Sequence, residues 1–433
     1  MLGRISDSKI KLSFVVYLFF YMFAPPLIPK VNMIFFVAAF SLFMLMTKYR
    51  NSIKSVLYKS KIISFSVMIF CAFIYIGLIM SIGVFLDPVN PINYIKSGYR
   101  FFLLVPVTLI CIVYVILRAK ELEYGLKEVS KALILAGLIQ TLFSVSMALI
   151  PQFREFLLNI MYMNTGDSLS QNLWHIQRRY YAFSQNVLDT FGYGTGILAI
   201  LPLFYGFYIK RYVYCLLTPI LLIVPLLNSR TGLVIAFIGI LCFLLYTIFK
   251  TSFVQLLKMS IITFFLALIS IQAINYFSKI LPTTMYWVNS GINDAIGFFK
   301  GEKGTDSVSI ITSQNNWLLP DSYFIFFGTG HNVYEAKGYS HSDVGYVNDI
   351  WLSGILGFTF LYSSMVFLFL TAFFKRNVFL IRTLVVFLAL SFFVTNIKTI
   401  ILSYNVGTSI VLLLLFFIIY ESNINNSDGV NNY

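Results

Sequence analysis

Long apolar runs alternate with short polar or charged connections along almost the whole chain. A helix needs about 20 mostly apolar residues to cross the hydrocarbon core of a bilayer. Twelve runs approach or exceed that length, at about 13–28, 31–47, 62–86, 101–117, 132–150, 187–208, 212–228, 231–249, 259–278, 346–374, 379–397 and 400–420. The last two are the least sharply bounded, because Arg382 and Lys398 crowd their ends. The pattern predicts an all-α fold, a polytopic integral membrane protein of about 12 transmembrane helices forming a single membrane domain over residues 1–433. Two connections are long and polar: 151–186, and the large loop 279–345 between the ninth and tenth helices.

Both long connections contain helical spacing. In 151–163, Phe153, Phe156, Leu157, Ile160 and Met161 share one face, and Arg154, Glu155 and Asn159 take the other. That suits a helix lying in the membrane interface or packed on the bundle. Met285, Val288, Ile292, Ala295, Ile296 and Phe299 repeat similarly. Arg4, Lys9 and Lys11 precede the first apolar run as in a signal peptide, but no small-residue cleavage site follows, and the run reads as a retained helix. No internal repeat is visible, which argues against an inverted-repeat transporter.

Composition narrows the class. Of 433 residues, 59% are hydrophobic and 11% charged, against about 25% charged in soluble proteins. Mean hydropathy is +0.83. A soluble enzyme, a disulfide scaffold and a disordered chain are excluded. Net charge is +14, with a pI near 9.4. With the N-terminus inside and sides alternating through twelve spans, inner segments hold 19 of the 31 basic and six of the 17 acidic residues. Outer segments then hold 12 and 11, so the excess follows the positive-inside rule, with both termini inside, and no nucleic-acid patch is required. Cys71, Cys111, Cys215 and Cys242 all lie in apolar runs and read as buried free thiols.

Familiar catalytic signals are absent. There is no phosphate loop, no His-Glu-x-x-His and no Asp-x-Asp; His175, His331 and His341 are scattered without metal spacing, so no metal or cofactor is expected. Gly192-Tyr193-Gly194-Thr195-Gly196 reads as a helix-packing face. What remains is a set of polar groups at the outer ends of helices. Arg230 sits in the very short outer turn Asn228-Ser229-Arg230-Thr231-Gly232, where the positive-inside bias does not favour an arginine. Arg178-Arg179-Tyr180-Tyr181 precedes the sixth span, and Arg100 the fourth. These guanidinium groups are candidates for gripping a lipid pyrophosphate through paired hydrogen bonds, or for anchoring in headgroups. His341 and Asp343 stand at the mouth of the tenth span, where a histidine beside a carboxylate can take a proton from a sugar hydroxyl, or Asp343 can cap the helix. Asp349 lies one turn further, and Asp189 is well inside the sixth apolar run; each is either functional or a structural pair.

Three stretches in this order resemble the O-antigen polymerase family, within the O-antigen polymerase and O-antigen ligase superfamily of bacterial inner membranes. They are RRYYAFSQN at 178–186, LLNSRTGLVIAFIGI at 226–240, and FFGTGHNVYEAKGYSHSDVGYVNDIWLSGILG at 326–357. The resemblance implies a fold like the C-type membrane glycosyltransferases, with 151–186 and 279–345 as periplasmic loops. It implies metal-independent, inverting glycosyl transfer from an undecaprenyl-pyrophosphate-linked oligosaccharide at the periplasmic face. Arg230 with Arg178 or Arg179 would hold the pyrophosphate, Arg100 would assist, and His341 with Asp343 would serve as base or orient the acceptor. Expected partners are this lipid-linked substrate, membrane lipids and a chain-length regulator.

A polymerase moves the growing chain onto a new lipid-linked repeat unit; a ligase moves it onto lipid A-core. The ligase pattern places His-Asn directly before the final Gly-rich span, where this chain has His341-Ser342-Asp343, and its His331-Asn332 pair lies upstream. The polymerase is therefore favoured. A flippase would carry more intramembrane charge and shorter loops than this chain has.

Overall fold

The computed structural model describes residues 9–28, 31–86, 105–165, 179–184, 188–250, 275–282, 284–286, 314–321, 323–331, 344–402 and 405–429, together with isolated positions such as Tyr94 and Ser342. Most of the ninth expected span, of the second amphipathic segment beyond Met285 and of the large loop falls outside them.

Among the described residues the chain is helical, with no strand. In chain order the helices of ten residues or more are α1 (Leu12–Phe23), α2 (Ile34–Thr47), α3 (Arg50–Lys59), α4 (Ile62–Leu86), α5 (Val105–Glu121), α6 (Leu126–Leu149) and α7 (Pro151–Thr165). They continue as α8 (Leu188–Tyr208), α9 (Leu217–Asn228), α10 (Arg230–Lys250), α11 (Gly345–Lys375), α12 (Phe379–Thr395) and α13 (Val406–Gly429). Six of these, α4, α6, α8, α10, α11 and α13, are long and apolar enough to cross a membrane, and shorter apolar helices accompany them. Large apolar side chains exposed at helical spacing mark the lipid-facing stripes. On α10 they are Val234, Phe237, Leu241, Leu245 and Ile248; on α4, Val67, Phe70, Ile74, Leu78 and Ile82. Cys71 shares the exposed side of α4, whereas Cys111, Cys215 and Cys242 are buried as free thiols.

Helix ends follow local chemistry. The turn Ala24-Pro25-Pro26 stops α1, with Ala24 in the left-handed region. α6 begins at Leu126 rather than at 132, because the Glu128 carboxylate accepts from the Gly125 N–H at 3.0 Å and the Glu421 carboxylate from Leu126 N–H at 3.2 Å. α13 begins at Val406 rather than at 400, where the Asn405 side chain accepts from Thr408 N–H at 2.8 Å.

The centre of the bundle is α8, enclosed by α6, α9, α10, α12 and α13. Its glycines allow this. A Cβ at Gly192 would lie 2.0 Å from Ser229 Oγ, and one at Gly196 2.5 Å from the Gly232 carbonyl, so α8 and α10 meet backbone to backbone. A Cβ at Gly194, on another face, would lie 2.3 Å from Val406 of α13.

The two ends of the bundle differ in chemistry. At one end lie the basic connections. There Glu121 accepts from Lys48 Nζ at 2.7 Å, from Arg118 at 2.8 Å and from the Tyr49 hydroxyl. Glu421 pairs with Arg376, and Asn423 donates to the Lys59 carbonyl at 2.5 Å. These ties, with the bond from Leu126 N–H to Glu421, join the ends of α2, α3, α5, α6, α11 and α13 or the residues just beyond them. The opposite end gathers the end of α9, the beginnings of α8, α10, α11 and α13, and the ends of α4, α6 and α12.

Candidate functional site

The segments carrying Arg179 and Arg230 meet at this second end. Asn228, the last residue of α9, is fully buried, and its carboxamide acts as a partner strand would. Its oxygen accepts from the Tyr180 N–H at 2.6 Å, and its nitrogen donates to the Tyr180 carbonyl at 3.1 Å and to the Val224 carbonyl at 2.8 Å. Gln140 of α6 donates to the Tyr181 carbonyl at 2.7 Å, so the next peptide is held as well. An extended segment cannot satisfy its own backbone, and in a buried position side-chain amides must do so. The clamp places Arg179, which donates to the Tyr181 hydroxyl at 2.9 Å, beside the turn that carries Arg230.

Ser229 has extended backbone and starts α10, with its hydroxyl 3.4 Å from the Gly232 N–H. Arg230 is therefore the first residue of α10, half-buried where the helix dipole favours anions. Thr231 donates to the Asp189 carboxylate across the α8–α10 contact. Asp189, expected as a functional acid or a structural pair, is thus engaged with a hydroxyl at the helix mouth.

The third stretch builds a separate cluster at the same end. α11 is broken at Gly354, whose φ of +62° and ψ of −179° suit glycine alone. In an unbroken helix the Trp351 and Leu352 carbonyls would meet the N–H groups of residues 355 and 356. Here Trp351 O accepts from the Thr329 N–H at 2.7 Å and Leu352 O from the Gly330 N–H at 3.1 Å. Gly328 and Gly330, with φ of +87° and +81°, shape that contact. His331 follows, its ring against Tyr94 and Trp351. The end of the large loop is thereby locked onto a helix break.

Asp349 is 1% exposed and accepts from the Tyr362 hydroxyl at 2.7 Å; Tyr362 in turn receives a hydrogen bond from Asn396, the residue after α12. Asn348 donates to the Ser342 carbonyl at 2.8 Å, and Ser342 to the Asn316 carbonyl at 2.7 Å. Through Tyr362, Asp349 is linked to Asn396 beside the end of α12. Arg100, Arg178, His341 and Asp343 lie outside the described residues.

Sequence reasoning missed Asn228 as a clamp, Gln140, and Arg154. Helical spacing puts Arg154 on the polar face of α7, opposite Phe153 and Leu157. In the structure Leu157 is buried and Glu155 and Asn159 are exposed as expected, but Phe156, expected on the apolar face, is 55% exposed. Arg154 is half-buried, its guanidinium 5.0 Å from the centre of the Tyr180 ring. The Tyr180 ring lies far away in sequence, and no local signal announces it.

Among the described residues no cluster of His, Cys, Asp or Glu is arranged to hold a metal ion. The arrangement offers cations at the mouths of apolar helices, suited to an anionic group on a lipid. No protein-family model matches the chain, and no curated protein matches it.

Proposed function

We propose that the chain is an O-antigen polymerase of the bacterial inner membrane, with about twelve spans, both termini cytoplasmic and the arginine-bearing end of the bundle facing the periplasm. One observation carries this reading: Asn228 joins the Arg179–Tyr181 segment to the Ser229–Arg230 turn, so two arginine-bearing stretches far apart in sequence form one element. The segregation of basic connections to the opposite end supports the orientation.

In the reaction, a hydroxyl of the lipid-linked repeat unit attacks the anomeric carbon of the growing glycan, opposite the departing undecaprenyl pyrophosphate. The bond from anomeric carbon to diphosphate oxygen breaks, and configuration inverts. Arg230, Arg178 and Arg179, with Arg100, neutralise the charge that develops on the leaving diphosphate. His341, with Asp343 beside it, takes the hydroxyl proton. The diphosphate is a competent leaving group, so no nucleotide, metal or cofactor is required. A chain-length regulator is an expected partner.

Deleting the gene and resolving lipopolysaccharide on gels tests the proposal. A polymerase loss leaves a single repeat unit on the core, whereas accumulation of polymer on undecaprenyl lipid identifies a ligase. Loss of every surface repeat identifies a flippase. Arg230→Ala restored to the deletion strain is expected to reproduce the single-repeat pattern at normal protein abundance.

A further inference from the structure

A cavity of about 750 Å³ opens beside the clamp, between the end of α6, the start of α7 and residues 280–281. The size falls within the range of about 300–1,000 Å³ typical of small-molecule sites. It shares Tyr180 with the site above but holds a different cation, Arg154.

Three kinds of chemistry line this cavity. Met147, Leu149, Leu158, Ile280 and Leu281 form an aliphatic wall. Glu155 and Asn159, both exposed, offer a carboxylate and a carboxamide, the groups that bind sugar hydroxyls. Arg154 supplies the guanidinium. Its Nε is enclosed yet meets no hydrogen-bond partner among the described residues, and its plane is steadied over the Tyr180 ring. A buried donor left unmatched by the protein is costly unless a ligand takes it. Aliphatic wall, cation and sugar-binding polar pair correspond to the prenyl chain, diphosphate and first sugar of one molecule.

We infer that this cavity is a second lipid-substrate site, binding a prenyl diphosphate-linked sugar through Arg154 and separate from the one at Arg230. Its assignment to the acceptor rests on the polymerase reading, because only a reaction between two lipid diphosphates needs two such sites. The site itself rests on the cavity alone.

The test is calorimetric titration of farnesyl diphosphate into the full chain in phosphatidylcholine nanodiscs. The wild type is expected to bind two equivalents, and Arg154→Gln and Arg230→Gln one each. Arg154→Lys, which keeps the charge, should retain the second equivalent at reduced affinity, and the exposed substitution Asn159→Trp should block it without touching Arg154. Thermal unfolding of each variant verifies that loss of binding is not loss of fold. Inorganic pyrophosphate should compete at least about tenfold more weakly, since it leaves the aliphatic wall unused. Unchanged stoichiometry in Arg154→Gln overturns the inference. So does equal competition by phosphatidylglycerol, which would make the cavity a general headgroup site. If Arg154→Gln removes one equivalent and Arg230→Gln removes none, the cavity stands and the assignment of the donor site at Arg230 fails.

Discussion

Replacing Asn228 by alanine removes three hydrogen bonds at once, at 2.6, 2.8 and 3.1 Å. Tyr180 is only 4% exposed, so its N–H and C=O lose their partners in a place water does not reach. Each abandoned buried backbone group costs about 1–3 kcal/mol, and lifting the segment toward solvent recovers part of it. The expected destabilisation is about 2–5 kcal/mol, at the upper end of single substitutions. Gln140 still holds the Tyr181 carbonyl, so the damage should concentrate at Arg179–Tyr180 rather than unfold α8 or α9. Asn228→Asp sharpens the test: a carboxylate still accepts from Tyr180 N–H but cannot donate to the Tyr180 and Val224 carbonyls. Thermal unfolding in detergent should fall for both variants, and polymer yield should drop at least about tenfold while membrane abundance stays near normal. If Asn228→Ala matches the wild type in both midpoint and polymer, the clamp does not organise the site.

Further predictions follow from packing and charge. Gly196→Ala places a methyl group 2.5 Å from the Gly232 carbonyl, so α8 and α10 must part; a loss of about 1–3 kcal/mol is expected, read as a lower unfolding midpoint. Gly354→Ala forces a side chain into a backbone region reserved for glycine, 2.3 Å from the Phe326 carbonyl, and should release the 326–330 segment to protease more readily than wild type. Hydrogen bonds from Lys48 and Tyr49, and then Arg118, hold the Glu121 carboxyl down at about 2 from its ordinary 4.5. A depressed carboxyl stabilises the fold above its unfolded value and loses that contribution as pH falls. Unfolding midpoints of wild type and Glu121→Gln should therefore converge between pH 4.5 and 2, with the wild type ahead at neutral pH. Tyr362→Phe removes the hydroxyl from the buried Asp349 carboxylate and should cost about 1–3 kcal/mol, measured in the same assay.

How legible this molecule was depends on the range over which its signals act. The apolar run 62–86, bounded by Lys61 and Asp87, became α4 at the same residues, because length and bounding charges are local properties. The glycines of α8 were readable as a packing face for the same reason, and Gly192 and Gly196 do meet Ser229 and Gly232. The start of α6 was misplaced because Lys127, Glu128 and Lys131 read as loop, whereas the Glu128 carboxylate caps the helix and Glu421, 295 residues away, supports it. The break at Gly354 was invisible within Ser353-Gly354-Ile355-Leu356-Gly357, because the groups that make it tolerable belong to Thr329 and Gly330. Helical periodicity puts Arg154 only on the polar face of α7, and the ring that holds it belongs to a segment clamped from α9. Elements were read from local pattern; the candidate site is made of contacts that no local pattern encodes.

The central claim is transfer between two lipid-linked glycans, and reconstitution tests it most directly. Purified protein in liposomes would be given only undecaprenyl-pyrophosphate-linked repeat units, with no lipid A-core, and the products resolved by chain length. A ladder of lipid-linked polymers that disappears with Arg230→Ala is the predicted result. Transfer that occurs only when lipid A-core is supplied, or a ladder that Arg230→Ala leaves intact, would contradict the account.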